Sequence, residues 1–117
     1  MNIILYGIPN CDTVKKARTW LEAAEIPYAF HDFKKVGVGR AKLREWEEVV
    51  GWEVLLNRRG TTFRKLDEGQ KTGLDADKAL ALMEAQPSMI KRPVLEWDGG
   101  TLVGFDQDEW RRILVGE

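Results

Sequence analysis

The stretch that decides the fold is Asn2-Ile3-Ile4-Leu5-Tyr6-Gly7-Ile8-Pro9-Asn10-Cys11-Asp12. Its first part is apolar and favours β structure, which predicts a buried strand over residues 2–6. The glycine, proline and asparagine within residues 7–10 predict a loop that leads into a helix. From Cys11 or Asp12 onward, apolar residues recur at steps of three and four, which predicts an amphipathic helix. The chain's one cysteine therefore falls at a strand-to-helix junction.

The remaining elements follow the chain order of a thioredoxin-like fold. A second strand after the first helix makes a βαβ unit, whose two strands are parallel. A later pair of strands around the turn Asp98-Gly99-Gly100 predicts a β-hairpin. These elements predict an α/β class, specifically a thioredoxin-like fold with an inserted helical region. We place the strands at 28–33, 94–97 and 101–103, and the further helices at 41–50, 75–86 and 106–115.

The whole chain, residues 1–117, is predicted to form a single domain with its helical insertion at about 40–88. A chain of 117 residues is too short for two independent hydrophobic cores. The five tryptophans fall at core spacings, which predicts that they pack internally. In the helix at 41–50, the residues expected to face inward are Leu43, Trp46, Val49 and Val50.

Charge and hydropathy exclude several classes of partner. With 18 basic and 19 acidic residues the formal net charge is −1, so we expect no nucleic-acid partner. No apolar run approaches the roughly 18–20 residues that span a bilayer, and the first residues lack the features of a signal peptide, so we expect no membrane partner. A lone cysteine cannot form an internal disulfide, which favours a cytoplasmic location.

The position of Cys11 predicts reactivity. A thiol at a helix N-terminus faces unpaired backbone N–H groups and the positive end of the helix dipole, and both favour the thiolate. The alternative is an inert buried cysteine. Val14 stands where a C-x-x-C pair would have its second cysteine, so the site must use an external thiol or only bind one. Lys15, one turn later, is either near the thiol or a solvated surface lysine.

Arginines supply the second feature of the predicted site. Arg58, Arg59 and Arg64 lie in one short segment, and Arg92 immediately precedes a proline. A guanidinium binds an oxyanion or carboxylate through two parallel hydrogen bonds. The alternative, a solvated charged loop, is favoured for Arg58 and Arg64. The sole histidine, His31, falls within a strand, so we predict a structural histidine and no metal site.

Four stretches carry a resemblance to a known family: Tyr6-Gly7-Ile8-Pro9-Asn10-Cys11-Asp12-Thr13-Val14-Lys15-Lys16-Ala17, Asp32-Phe33-Lys34-Lys35, Leu55-Leu56-Asn57-Arg58-Arg59-Gly60-Thr61 and Pro87-Ser88-Met89-Ile90-Lys91-Arg92-Pro93. On these motifs the chain resembles the arsenate reductase-like (ArsC/Spx) family, in its YffB-type branch, over nearly its whole length. The first and last motifs are specific when they occur together.

The resemblance implies roles for individual residues. Cys11 would be the nucleophile, and Arg92 would stabilise charge on an oxyanion or sulfur. Pro93 would follow a cis peptide bond. Arg59 matches the family's other arginine, with Arg58 as the neighbouring alternative. Asn10 would orient the thiolate, and the residues expected to bind substrate are Asn10, Asp12, Lys15 and Pro93.

The resemblance also implies a function, a glutathione-dependent thiol reductase with no tightly bound cofactor. Glutathione or another small thiol would be the co-substrate, and glutaredoxin a further partner. The stretch 102–105 lacks the arginine of glutathione-using arsenate reductases, so we do not expect efficient arsenate reduction. The alternatives are an Spx-like, non-enzymatic regulator that binds RNA polymerase, and a protein that only holds glutathione. Val14 removes the C-x-x-C switch of redox-sensing regulators.

Overall fold

The structure, a computed structural model, describes residues 2–116 and contains a sheet with strand order β2-β1-β3-β4. β1 pairs parallel with β2, as the βαβ connection requires, and antiparallel with β3, which pairs antiparallel with β4. This mixed sheet confirms the predicted α/β class and thioredoxin-like fold. The strands are β1 Ile4–Gly7, β2 Ala29–Asp32, β3 Val94–Trp97 and β4 Gly100–Val103.

The helices include several single turns that the sequence did not predict. A 3-10 turn at Pro87–Met89 follows the seventh helix, and a π-helical turn at Arg111–Val115 continues the eighth. The helix predicted over 106–115 is therefore a short α-helix followed by wider turns. The helices are α1 Asp12–Ala23, α2 Phe33–Val36, α3 Arg40–Val50, α4 Trp52–Leu55, α5 Thr61–Arg64, α6 Glu68–Lys71, α7 Ala76–Ala85 and α8 Gln107–Trp110.

By its internal contacts the chain divides into two units. The first consists of the residues up to Asp32 together with those from Arg92 onward, and the second is Phe33–Lys91. The second unit begins seven residues before the helical insertion expected at 40–88 and ends three residues after it (40 − 33 and 91 − 88). That the chain forms a single domain stays a prediction.

In the first unit, α1 and the C-terminal helical turns cover one face of the sheet. Leu5 of β1 lies opposite Leu95 of β3 in the sheet, and both side chains belong to the core. Residues paired across two strands have side chains on the same face of the sheet. Ala17 and Leu21 of α1 pack onto them, with Trp110 from the C-terminal segment. All of these side chains are fully buried. This packing fixes α1, and with it the position of Cys11 at its start.

The second unit has its own buried residues, and two predictions within it are wrong. Val49, expected to face inward, is 61% exposed, whereas Leu43 and Trp46 are buried. A helix turns by about 100° per residue, so the face that contains Leu43 and Trp46 continues at Val50, which is half-buried. Phe33, expected to end the second strand, instead begins α2 and is fully buried.

Two of the five tryptophans, Trp46 and Trp110, are fully buried, and the other three are half-buried. The prediction of internal packing therefore holds in full for only two. No helix within residues 2–116 combines the length and apolar character that crossing a bilayer requires.

Gly7 ends β1 at a close approach between strand and helix. A Cβ added to Gly7 would lie 2.8 Å from Cγ2 and 3.1 Å from Cγ1 of Val14, a side chain with no solvent exposure. Real Cβ contacts essentially never reach the shorter distance. The absence of a side chain at Gly7 thus allows the first turn of α1 to lie directly against the end of β1.

We expect Gly7→Ala to lower the free energy of unfolding by about 1–3 kcal/mol, as overpacking in a filled core does. Urea denaturation followed by circular dichroism measures the change. The matched control is Gly69→Ala in α6, where an added Cβ would lie 3.4 Å from Asp67 Oδ1 and alanine is the better helix former. Equal stabilities of Gly7→Ala and the unmodified protein would contradict the close approach.

Candidate functional site

Strand pairing brings Cys11 and Arg92 to the same end of the sheet. β1 ends at Gly7, and the chain then loops to Cys11. β3 runs antiparallel to β1, with Tyr6 opposite Val94. The residues just before β3 therefore lie beside the residues just after β1. This register, rather than any sequence spacing, places Arg92 at the cysteine.

Cys11 occupies the N-cap position of α1. Its backbone is extended, its N–H donates to the Ile8 carbonyl at 3.2 Å, and its own carbonyl accepts from Lys15 N at 2.9 Å. The thiol is free and half-buried. A neutral thiol is a weaker hydrogen-bond acceptor than the serine or aspartate side chain that is common at an N-cap.

The surroundings of Cys11 favour its thiolate. Burial by itself raises the pKa of the thiol, but backbone hydrogen bonding from Val14, the Arg92 side chain and backbone hydrogen bonding from Thr13 all lower it. The positive charge of Arg92 lowers it further, and the net pKa lies below the ordinary value. Charged-group hydrogen bonds of this kind are stronger than those between neutral groups. These contacts therefore favour the thiolate, which is the nucleophilic form of Cys11.

Pro93 connects Arg92 to the sheet. The Arg92–Pro93 peptide bond is cis, as the family resemblance implies. The Pro93 carbonyl accepts a hydrogen bond from Gly104 N at 2.8 Å, which ties the start of β3 to the end of β4. Gly104 has φ +86°, a left-handed conformation that glycine adopts without a steric penalty. Arg92 is half-buried beside this fixed proline.

The other predicted substrate-binding residues surround the cysteine in the chain. Asn10 precedes it and is exposed, and Asp12 is the exposed first residue of α1. Lys15 is one helical turn from Cys11 and its side chain is also exposed. The structure therefore leaves all three side chains accessible to a ligand, and their binding roles stay predictions.

Arg58 and Arg59 differ in their surroundings. The Arg58 guanidinium lies over the Trp52 ring at 5.3 Å, a cation–π contact. Arg59 is exposed, and only its backbone N–H is held, by Asn57 Oδ1 at 3.1 Å. Both belong to the second unit, whereas Cys11 and Arg92 belong to the first. Both side chains are exposed, and that of Arg58 is in contact with an aromatic ring.

The lone histidine has a structural environment. The His31 ring lies 4.8 Å from the Tyr6 ring, and these residues are paired across β1 and β2. Within residues 2–116, no three or more His, Cys, Asp or Glu side chains gather in a way that could hold a metal ion.

The backbone donors that act on the thiol, Thr13 and Val14, are N–H groups of the kind expected at a helix start, but the sequence analysis did not name these two residues. Any residue supplies an N–H, so no residue type marks them. The sequence contained only an indirect signal for their position. Gly7, the last residue of β1, has no side chain, and this allows Val14 to lie close to the sheet.

We expect Arg92→Gln to raise the pKa of Cys11, because it removes both a hydrogen-bond donor and a positive charge from the thiolate. In the unmodified protein the lowered pKa keeps the thiolate at lower pH, so alkylation by iodoacetamide should reach half its maximal rate at a lower pH than it does for a free thiol. In Arg92→Gln this midpoint should move up, and in Arg92→Lys it should lie between the two.

Arg112→Gln is the matched control, since Arg112 is an exposed arginine of the same unit. Superimposable pH profiles for Arg92→Gln and the control would show that Arg92 does not act on the thiol.

Comparisons with known proteins agree with the fold. A solved structure titled YFFB protein is 60% identical, with a TM-score of 0.93, and the match covers 96% of this chain and 98% of that one. The solution structure of an arsenate reductase (ArsC) related protein from Brucella melitensis is 53% identical, with a TM-score of 0.77, covering 97% and 95%. The global transcriptional regulator Spx of Listeria innocua is 28% identical, covering 96% of this chain and 86% of its own. The model of the ArsC family matches residues 6–113, and the chain belongs to that family.

Proposed function

We propose that the protein is a glutathione-dependent thiol reductase that uses Cys11 as its single nucleophile. The observation that carries the proposal is the half-buried Cys11 thiol with its lowered pKa, held by the start of α1 and by Arg92. The thiolate is the species that attacks a disulfide. Membership of the ArsC family and likeness to an arsenate reductase related protein support the same class of chemistry.

The reaction proceeds by two exchanges at sulfur. In the first, the Cys11 thiolate attacks the glutathione sulfur of a mixed disulfide between glutathione and a second thiol. A new S–S bond forms at Cys11, the old one breaks, and the released thiolate takes a proton from water. In the second, the thiolate of another glutathione attacks the glutathione sulfur on Cys11, which releases glutathione disulfide and restores the Cys11 thiolate. Glutathione thus supplies both electrons.

The same contacts assist both exchanges. In the resting protein, the donors at the start of α1 and Arg92 maintain Cys11 as an anion. In the second exchange Cys11 is the leaving group, and a thiol of low pKa leaves faster. Since Val14 stands where a resolving cysteine would be, no internal thiol competes with glutathione. Arg92 would stabilise charge on an oxyanion substrate in the same way.

We expect the unmodified protein to form one glutathione adduct, at Cys11, when mixed with glutathione disulfide, and Cys11→Ser to form none. Intact-mass and peptide mass spectrometry locate the adduct. With glutathione and the mixed disulfide of glutathione and 2-mercaptoethanol as substrates, Cys11→Ser should have no activity above the uncatalysed rate, because it has no sulfur to attack. Arg112→Gln serves as the control that leaves the site intact.

Turnover by Cys11→Ser equal to that of the unmodified protein would overturn the proposal. Absence of both the adduct and turnover in the unmodified protein would favour the regulator instead.

Arg59 is proposed as the second arginine of the reaction, binding a carboxylate or oxyanion of the substrate. We expect Arg59→Gln to raise KM or lower kcat/KM by about tenfold, the size of a lost charge-assisted hydrogen bond. The matched change Arg58→Gln should leave kinetics nearly unchanged and cost up to about 1 kcal/mol of stability through its lost contact with Trp52. Steady-state kinetics and urea denaturation separate the two, and the reverse pattern would make Arg58 the functional arginine.

The second candidate is a non-enzymatic regulator that binds RNA polymerase. The observation that favours it is the 28% identity with the regulator Spx over 96% of this chain. A regulator of this kind binds through its surface and needs no nucleophile. Co-purification with RNA polymerase that survives in Cys11→Ser, together with no turnover in the unmodified protein, would select this alternative.

A further inference from the structure

An open groove lies along the exposed side of α1, within the unit that contains Cys11. Its volume is about 490 Å³. Lys15 and Lys16 lie at one end of its α1 wall, and the aromatic side chains of Trp20 and Phe105 also line it. Trp20 and Phe105 are half-buried, so each presents part of its ring to the groove. The groove thus combines apolar surface with positive charge.

A second groove of about 430 Å³ continues the first. The two share Trp20, Ala23 and Gln107, and the second adds Ala24, Arg111 and Val115. Together they form one track, which we call the α1 track. It has lysines at one end, an arginine at the other and the Trp20 ring between them. Among residues 2–116, no carboxylate side chain lines either groove.

The apolar part of the α1 track is held firmly. The Trp20 ring packs edge-on against Trp110 with ring centroids 6.0 Å apart, and its centroid lies 6.3 Å from that of Phe105. Phe105 in turn packs edge-on against Trp110 at 4.8 Å. Because Trp110 is fully buried, the exposed parts of the other two rings rest on the core. A rigid aromatic surface of this kind suits an apolar side chain of a ligand.

The α1 track runs away from the reactive thiol. Cys11, Lys15, Thr19 and Ala23 follow one another at intervals of four residues, and residues spaced this way share one face of a helix. At about 1.5 Å per residue, Lys15 lies roughly 6 Å and Ala23 roughly 18 Å along the axis from Cys11. An extended chain covers that distance with about five residues.

We propose that the α1 track binds the protein part of the disulfide substrate, as an extended segment with an apolar side chain between acidic residues. This inference rests on the proposed function, because the segment must carry the sulfur that leaves when Cys11 attacks the glutathione sulfur of the mixed disulfide. The charges match: acidic side chains meet Lys15 and Lys16 near the thiol and Arg111 at the far end, and the apolar side chain meets Trp20. A glutathione bound at Cys11 spans only about 10 Å, so it cannot fill the whole track.

Binding is tested first, with a peptide that cannot react. A fluorescent acidic peptide with one central leucine, and serine in place of its cysteine, is titrated with the protein and followed by anisotropy. Lys16→Glu and Arg111→Glu should each weaken binding about threefold or more, and together about tenfold, as the loss and reversal of exposed charge pairs does. Gln107→Glu, a change of nearly equal size, should also weaken binding. Arg112→Glu is the matched control, since Arg112 does not line the track.

Turnover is tested second, with two disulfides of glutathione. One is formed with a cysteine-containing version of the acidic peptide, and the other with 2-mercaptoethanol. Lys16→Glu/Arg111→Glu should lower kcat/KM about tenfold for the peptide disulfide and leave that for the small disulfide unchanged, because only the peptide reaches the track. Both side chains are exposed, so the variants should fold, which circular dichroism checks.

The outcomes separate this inference from the proposed function. Binding of the inert peptide that depends on Lys16 and Arg111, without turnover of either disulfide, would refute the reductase and with it the substrate role of the track. If these substitutions change kcat/KM for neither disulfide, the proposed role of the α1 track is refuted and the proposed reductase activity is not. Equal affinity for the acidic peptide and for a peptide with lysine in place of its acidic residues would also refute the proposed role of the α1 track. A preference for single-stranded nucleic acid would refute it as well.

Discussion

The stabilisation of one sulfur as an anion is the constraint on which the rest of the site depends. Burial alone disfavours the charged form of Cys11, and the pKa of the thiol lies below its ordinary value because other interactions outweigh that cost. Two of them come from backbone N–H groups at the start of α1, and one comes from Arg92. The first two require the helix to begin at that residue. The third requires β3 to lie antiparallel to β1, so that its first residues meet the loop that carries the cysteine.

These requirements explain how much of the fold was predictable. The β1–α1 junction and the β3–β4 hairpin follow from local periodicity and turn residues, and the structure contains both. The single-turn helices α4, α5 and α6 were not predicted. A four-residue helix is too short to be stable on its own, so tertiary packing decides where it forms and its sequence carries no periodic signal. Phe33 shows the same effect, since a residue that favours strands begins a helix where burial is available.

In the candidate site, too, some features follow from local sequence and others depend on tertiary structure. Cys11 was identifiable because it stands between a strand pattern and a helix pattern. The relation of Arg92 to Cys11 did not follow from spacing, because it depends on strand register. The choice between Arg58 and Arg59 was open in the sequence, since adjacent arginines look alike there. Contacts distinguish them: both side chains are exposed, but the Arg58 guanidinium lies over the Trp52 ring.

A single helix joins the reactive group to the surface beside it. The first turn of α1 stabilises the thiolate, and the following turns supply Lys15, Lys16 and Trp20 to the α1 track. Because Leu21 and Ala17 anchor the opposite side of the helix in the core, the distance between the thiol and the track is fixed rather than adjustable. A ligand that spans both would therefore gain affinity without ordering a loop of the protein. A protein with one thiol and no resolving cysteine needs a thiol or disulfide from another molecule for each exchange. A fixed distance between the thiol and the α1 track would favour those molecules that can contact both.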